Sequence, residues 1–158
     1  MSDPRAETPA DPDTDRPDDR HVRPDGVDDA TVEALGTLSE ALEAAEVARG
    51  HLYAFHRMSG TTDLTVGKAV DQLRDAGHAD LADLIQRELV GRNVLEGRWT
   101  FQIVEEYDDG YHATFRELEQ QARDRLVGGR RHLFEAEMKE DRRTHGDPAH
   151  TARPARRS

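Results

Sequence analysis

The chain has 158 residues and a mass of 17.8 kDa, with 35% apolar residues, 35% charged residues and a formal charge of −11 at pH 7. That length allows one modest domain, and a mean hydropathy of −0.89 leaves little of the chain for a core. The absence of cysteine excludes disulfides, thiolate zinc sites, cysteine-held iron–sulfur clusters and Cys nucleophiles. No stretch approaches the ~20 apolar residues that cross a bilayer. The start of the chain lacks the basic-then-apolar pattern of a leader, and the acidic body would repel phosphate backbones. A cytoplasmic protein with no membrane and no nucleic-acid partner is expected.

Apolar residues are unevenly spread. Residues 1–30 hold three large ones (Met1, Val22 and Val27), residues 140–158 hold none, and the other 33 lie between Val32 and Met138. This predicts a disordered acidic Pro/Asp-rich tail over 1–30, a helical domain over 31–140, and a disordered basic tail over 141–158. Arginine outnumbers lysine 20 to 2, a bias that fits a GC-rich genome.

In chain order, Asp29 or Thr31 can cap a first helix, in which Val32, Leu35, Leu38, Leu42, Ala45, Leu52 and Phe55 recur at helical spacing. It is expected to stop at Met58–Ser59–Gly60. Asp63 would cap a second helix over about 64–76, closed by Gly77, and a third would cover about 79–90. Residues 91–97 (GRNVLEG) read as a loop. From Arg98 a long helix is expected to run to about Val127, where Gly128–Gly129 break it before a final helix over 130–140. A strand over 99–107 competes, since WTFQIVEEY is rich in β-branched and aromatic residues, but no partner strand stands elsewhere in the chain. The fold class expected is all-α: an antiparallel bundle of four to five helices with disordered tails.

Five of the eight aromatic residues fall within 99–115. On a helix, Phe101, Val104, Asp108, Tyr111, Phe115 and Leu118 form one stripe, with Asp108 a carboxylate where the period calls for an apolar residue. A buried unpaired carboxylate is costly, so Asp108 needs a partner. The first helix repeats the pattern: Leu42, Glu46, Arg49, Tyr53 and His56 share a stripe. Antiparallel packing would set Glu46, Tyr53 and His56 toward Asp108 and His112. Gly50 and Gly110 sit mid-helix, where they would permit a close crossing.

Three chemistries are open to these residues. Carboxylates and histidines facing each other across helices would hold iron, manganese or zinc, with Glu46, His56, Glu105, Asp108, Asp109 and His112 as candidate ligands; Asp109-x-x-His112 has the spacing at which two side chains share one ion. Alternatively the same groups form a structural network, with Glu46–Arg49, Glu105–Arg98 and Asp109–Arg116 as ion pairs. Function then lies in a surface, and a homodimer or other homo-oligomer, or a protein partner, is expected. Enzymes without metals are poorly served. Neither Ser39 nor Ser59 lies in a nucleophile elbow, no phosphate-binding glycine loop is present, and the carboxylates at 105, 106, 108 and 109 single out no acid–base pair. An aromatic pocket of Tyr53, Trp99, Tyr107 and Tyr111 could hold a ligand, but aromatic residues at helical spacing are more often core.

The carboxylate–histidine set resembles, in part, ferritin-like di-iron and di-manganese bundles. Those proteins carry a Glu on each of two helices and Glu-x-x-His on the other two; here Asp109-x-x-His112 has Asp in place of Glu, and no second such pair exists. Around GRNVLEGRWTFQIVEEYDDGYH the chain is also similar to short helical proteins of actinobacteria, over residues 40–145, a resemblance that implies no activity. The first expectation is a non-enzymatic interaction or structural protein that self-associates. The alternative is a carboxylate–histidine metal-binding bundle with ferritin-like chemistry.

Overall fold

The computed structural model describes residues 15–154, all-α and without a strand among them. The outer ends of both tail segments, 1–14 and 155–158, lie outside the described residues. Helix α1 runs over Asp29–Asp75, α2 over Ala79–Glu88, α3 over Thr100–Tyr107, α4 over Ala113–Val127 and α5 over Leu133–Arg142. A π-helical turn, Asp108–His112, joins α3 to α4 without a break, so four helical rods result.

The first rod differs most from expectation. Its cap is neither Asp29 nor Thr31: Asp28 accepts the Thr31 N–H at 2.8 Å. No break falls at Met58–Ser59–Gly60, and the two expected helices are one of 47 residues. Gly60 is not among the positive-φ glycines, so it does not close the helix. The hydroxyls of Thr61, Thr62 and Thr65 donate to the carbonyls of Arg57, Met58 and Thr61, returning their polar groups to the same helix instead of competing with it. Asp63, expected as a cap, instead accepts the N–H of Gly91 at 2.7 Å.

The other boundaries follow their punctuation. Gly77, Gly91, Gly128 and Gly129 all take positive φ at helix ends, where only glycine does so without strain. Residues 99–107 are not a strand: the Trp99 N–H is taken by Gln102 Oε1 at 2.8 Å, the reach-back bond of a helix start. The helix before Gly91 ends at Glu88, and the 91–98 loop is pinned at Gly91, whose carbonyl accepts the Trp99 indole N–H at 3.2 Å.

Contacts divide the chain into two compact units. One holds residues up to Glu40 and from Leu118 onward; the other is Ala41–Glu117. In the first, Val32 and Leu35 of α1 pack with Val127 and Leu133, and Val27 and Ala122 lie against them. Buried Glu119 accepts from Ser39 and Arg123 at 3.0 and 2.7 Å. Burial pushes its carboxyl up, but those two hydrogen bonds together with the charges of Arg123 and Arg131 hold the group below its ordinary value. The stretches read as tails also carry contacts here. Arg143, its side chain 3% exposed, binds Asp15 and Glu140, and Arg23 grips Glu137 through two hydrogen bonds.

In the second unit the buried apolar residues are few: Ala45, Val70, Ala82 and Val104. Thr100 and His112 are also buried in this unit, each with a polar partner on α1.

Candidate functional site

The second unit sets α1 against α3 and the π-turn through a ladder of polar pairs. His112 Nε2 meets Glu46 Oε1 at 2.8 Å. Arg49 donates to both oxygens of Asp108, at 2.7 and 3.0 Å. The Tyr53 hydroxyl donates to Asp108 Oδ2 at 3.0 Å, and His56 Nδ1 meets the Thr100 hydroxyl at 2.7 Å. Numbers rise on α1 as they fall on its partner, so the two run antiparallel, as the shared stripes predict. The Arg49 guanidinium also lies 4.9 Å from the centre of the Tyr53 ring, over its face.

Pairing sets the electrostatics. The Arg49 guanidinium holds the Asp108 carboxyl below its usual range, with the Tyr53 hydroxyl adding to the effect against partial desolvation. The same bond pushes Arg49 further up.

The π-turn decides which residues face α1. Three successive four-residue steps, Thr100, Val104, Asp108 and His112, all point to this side. On a uniform α-helix each such step drifts by about 40°, and the stripe would swing away. The widened turn takes in one residue more than a regular turn, so the drift is cancelled. His112 is therefore 6% exposed and Tyr111, expected on the inward stripe, 63% exposed. The Tyr107 and His112 rings stack at 6.1 Å, and Tyr111 meets Phe115 edge-on at 6.0 Å.

Of the six candidate ligands, the structure thus engages four, in three separate pairings: Glu46 with His112, His56 with Thr100, and Asp108 with Arg49. Glu105 and Asp109 are exposed and form no ion pair among the described residues. Nowhere do three of the six bring ligand atoms within 4.8 Å of one another among those residues. Asp108 has both oxygens committed to a guanidinium, which a cation would have to displace.

The expected ion pairs also change partners. Arg49 leaves Glu46 for Asp108, and Arg98 takes Glu106 at 2.8 Å in place of Glu105. Asp109 and Arg116 form no pair among the described residues. The Arg49–Asp108 pair was signalled by opposite charges interrupting two facing apolar stripes. Gly50 and Gly110 do not mark a close crossing within the chain, since a Cβ at either would meet nothing within 4 Å. Gly36 does mark one, its Cβ position lying 3.4 Å from Phe134 Cβ.

No family model, curated protein or solved structure matches this chain. Nor is any helix among the described residues long and apolar enough to cross a membrane.

Opposite the ladder, α1 presents a different surface. At 100° per residue, Ala44, Val47, His51, Phe55, Met58 and Thr62 share one face that continues to Ala69. All are exposed, with Val47 at 63%, Phe55 at 47% and Met58 at 64%. No Asp, Glu, Lys or Arg stands on this face between 44 and 69, in a chain that is 35% charged. The Thr62 and Thr65 hydroxyls, being spent on their own helix, add no free donors.

Proposed function

We propose that the protein is a non-enzymatic structural or interaction protein that associates with a second copy of itself through the outer face of α1. The observation that carries this reading is the uncharged face over 44–69, with Val47, Phe55 and Met58 exposed. Leaving the apolar side chains of this face in water is unfavourable, by about 25 cal/mol per Å² of apolar surface that a partner would cover. The ladder on the opposite side supports a structural role, because its bases and acids are committed to holding two helices in register.

Charge favours a second copy as the occupant. Glu43, Gly50 and Arg57 stand seven residues apart on one flank of this face. A two-fold antiparallel pairing brings like flanks together, so an axis near Gly50 sets each Glu43 against the Arg57 of the other copy. The open space at the Gly50 Cβ position leaves room there for a neighbouring backbone.

Sedimentation equilibrium tests the proposal. A species of twice 17.8 kDa is expected, with the Phe55→Glu, Met58→Glu double variant monomeric at unchanged helicity. Arg57→Glu should weaken association, and adding Glu43→Arg should restore it. A wild-type chain still monomeric at ~100 μM, a concentration at which even weak specific pairs form, overturns the proposal; so does a dimer indifferent to the Phe55 and Met58 changes.

A further inference from the structure

The first unit holds a groove of about 500 Å³ between the 19–21 turn and the Gly128–His132 segment. Its lining carries three arginines, Arg20, Arg130 and Arg131, two histidines, His21 and His132, and one acid, Asp19. In a chain with 33 acidic and 22 basic side chains, that local balance is inverted. Two of the arginines have no carboxylate in contact. Arg130 gives one hydrogen bond, at 2.7 Å, to the neutral carbonyl of Val22, which orients it without compensating its charge. Arg131 is exposed; its charge acts on the buried Glu119 carboxylate, but it forms no direct ion pair among the described residues. Arg20 is held at 3.0 Å by Asp18, and Asp19 faces Arg16 at 3.9 Å.

The backbone of this segment is built into an unusual shape. Gly128, Gly129 and His132 all have positive φ, at 61°, 74° and 57°. For His132 that conformation is strained, at a cost of order 1 kcal/mol. The sharp turns place Arg130 and Arg131 side by side on the groove wall between left-handed residues.

We propose that this groove binds a small phosphorylated molecule carrying at least two negative charges. Guanidinium forks match phosphate oxygens two at a time, and His21 adds a donor to the same anion, whereas the His132 ring nitrogen lies 3.4 Å from the Glu135 carboxylate. The volume exceeds a single phosphate and suits a diphosphate with a small organic group. This site is independent of the α1 face and stands or falls separately from self-association.

Titration calorimetry at low ionic strength, with pyrophosphate and inorganic phosphate as the probes, tests it on the full chain. Saturable binding of one pyrophosphate per chain is expected, tighter than inorganic phosphate. The Arg130→Gln, Arg131→Gln double variant should lose about tenfold or more in affinity, the scale of losing charge-assisted hydrogen bonds. Arg131→Gln alone, at a side chain without an ion-pair partner, should weaken binding measurably while the helical spectrum is unchanged, and it serves if the double variant unfolds. Absence of saturable binding, or equal affinity in Arg131→Gln and wild type, overturns the proposal.

Discussion

The Arg49 guanidinium closes on both carboxylate oxygens of Asp108, at 2.7 and 3.0 Å, across 59 residues of sequence. Two charges that each interrupt an apolar stripe thereby satisfy one another, and a third group, the Tyr53 hydroxyl, completes the carboxylate's shell. The pair fixes the register of α1 against its antiparallel partner.

Because the folded Asp108 carboxyl titrates below its unfolded counterpart, near 3.9, its stabilising effect is complete above about pH 5 and is lost as pH falls through the lower folded value. Asp108→Asn should lower the urea midpoint at about pH 6 and lose less on acidification to about pH 2.5 than wild type does. Asp15, Asp18, Asp28 and Glu119 are lowered in the same direction, so a residual acid dependence is expected in both proteins. Midpoint curves that run parallel from neutral to acid pH would reject the assignment.

Deletion of Gly110 should be tolerated. Removing one residue from a π-turn restores a regular helix without rotating the downstream residues, whereas removing Gly67 from α1 turns the rest of that helix by about 100°. The second deletion carries fully buried Val70 out of the core, at a cost of about 2 kcal/mol or more. Thermal melts by circular dichroism should place the Gly110 deletion within about 1 kcal/mol of wild type and the Gly67 deletion far below it. Equal damage from both would contradict the π-turn.

Gly60→Ala should stabilise the chain by about 1 kcal/mol, the helix-interior difference between the two residues. A Cβ there meets nothing within 4 Å, and Gly60 is not among the positive-φ glycines. A helix broken at Met58–Ser59–Gly60 would instead be harmed by the alanine, so the sign of the change in denaturation midpoint separates the two geometries.

Asp63→Ala should free the 91–98 loop. It removes the 2.7 Å bond to the Gly91 N–H, worth about 0.5–1.5 kcal/mol, and loosens the loop whose carbonyl holds the chain's single tryptophan. Acrylamide should then quench Trp99 fluorescence more strongly than in wild type. Unchanged quenching would show that the loop is held by other contacts.

The all-α class was legible because helical spacing and glycine punctuation agree along most of the chain: Gly77, Gly91 and Gly128–Gly129 all end helices where expected. The α1 stripe of Glu46, Arg49, Tyr53 and His56 was legible for the same reason. Met58–Ser59–Gly60 misled because two weak breakers, Ser59 and Gly60, cost less than one long helix gains, once Thr61, Thr62 and Thr65 bond to their own backbone. Partner choice was hidden too. Local spacing favoured Glu46 for Arg49, yet the antiparallel register supplied Asp108, with His112 left to Glu46. The inward stripe after Asp108 was displaced by one residue because a constant 100° per residue cannot anticipate a π-turn.

That turn also bears on ancestry. A π-turn is what an α-helix becomes when it gains one residue that the flanking packing does not allow it to absorb. A relative with a plain helix at this place would carry one residue fewer between the positions of Asp108 and His112, with both ends still superimposable. Its divergence from this chain would be written as a gap in mid-helix, where insertions are least expected, and shared descent would be easiest to see in the paired positions 46 with 112 and 49 with 108.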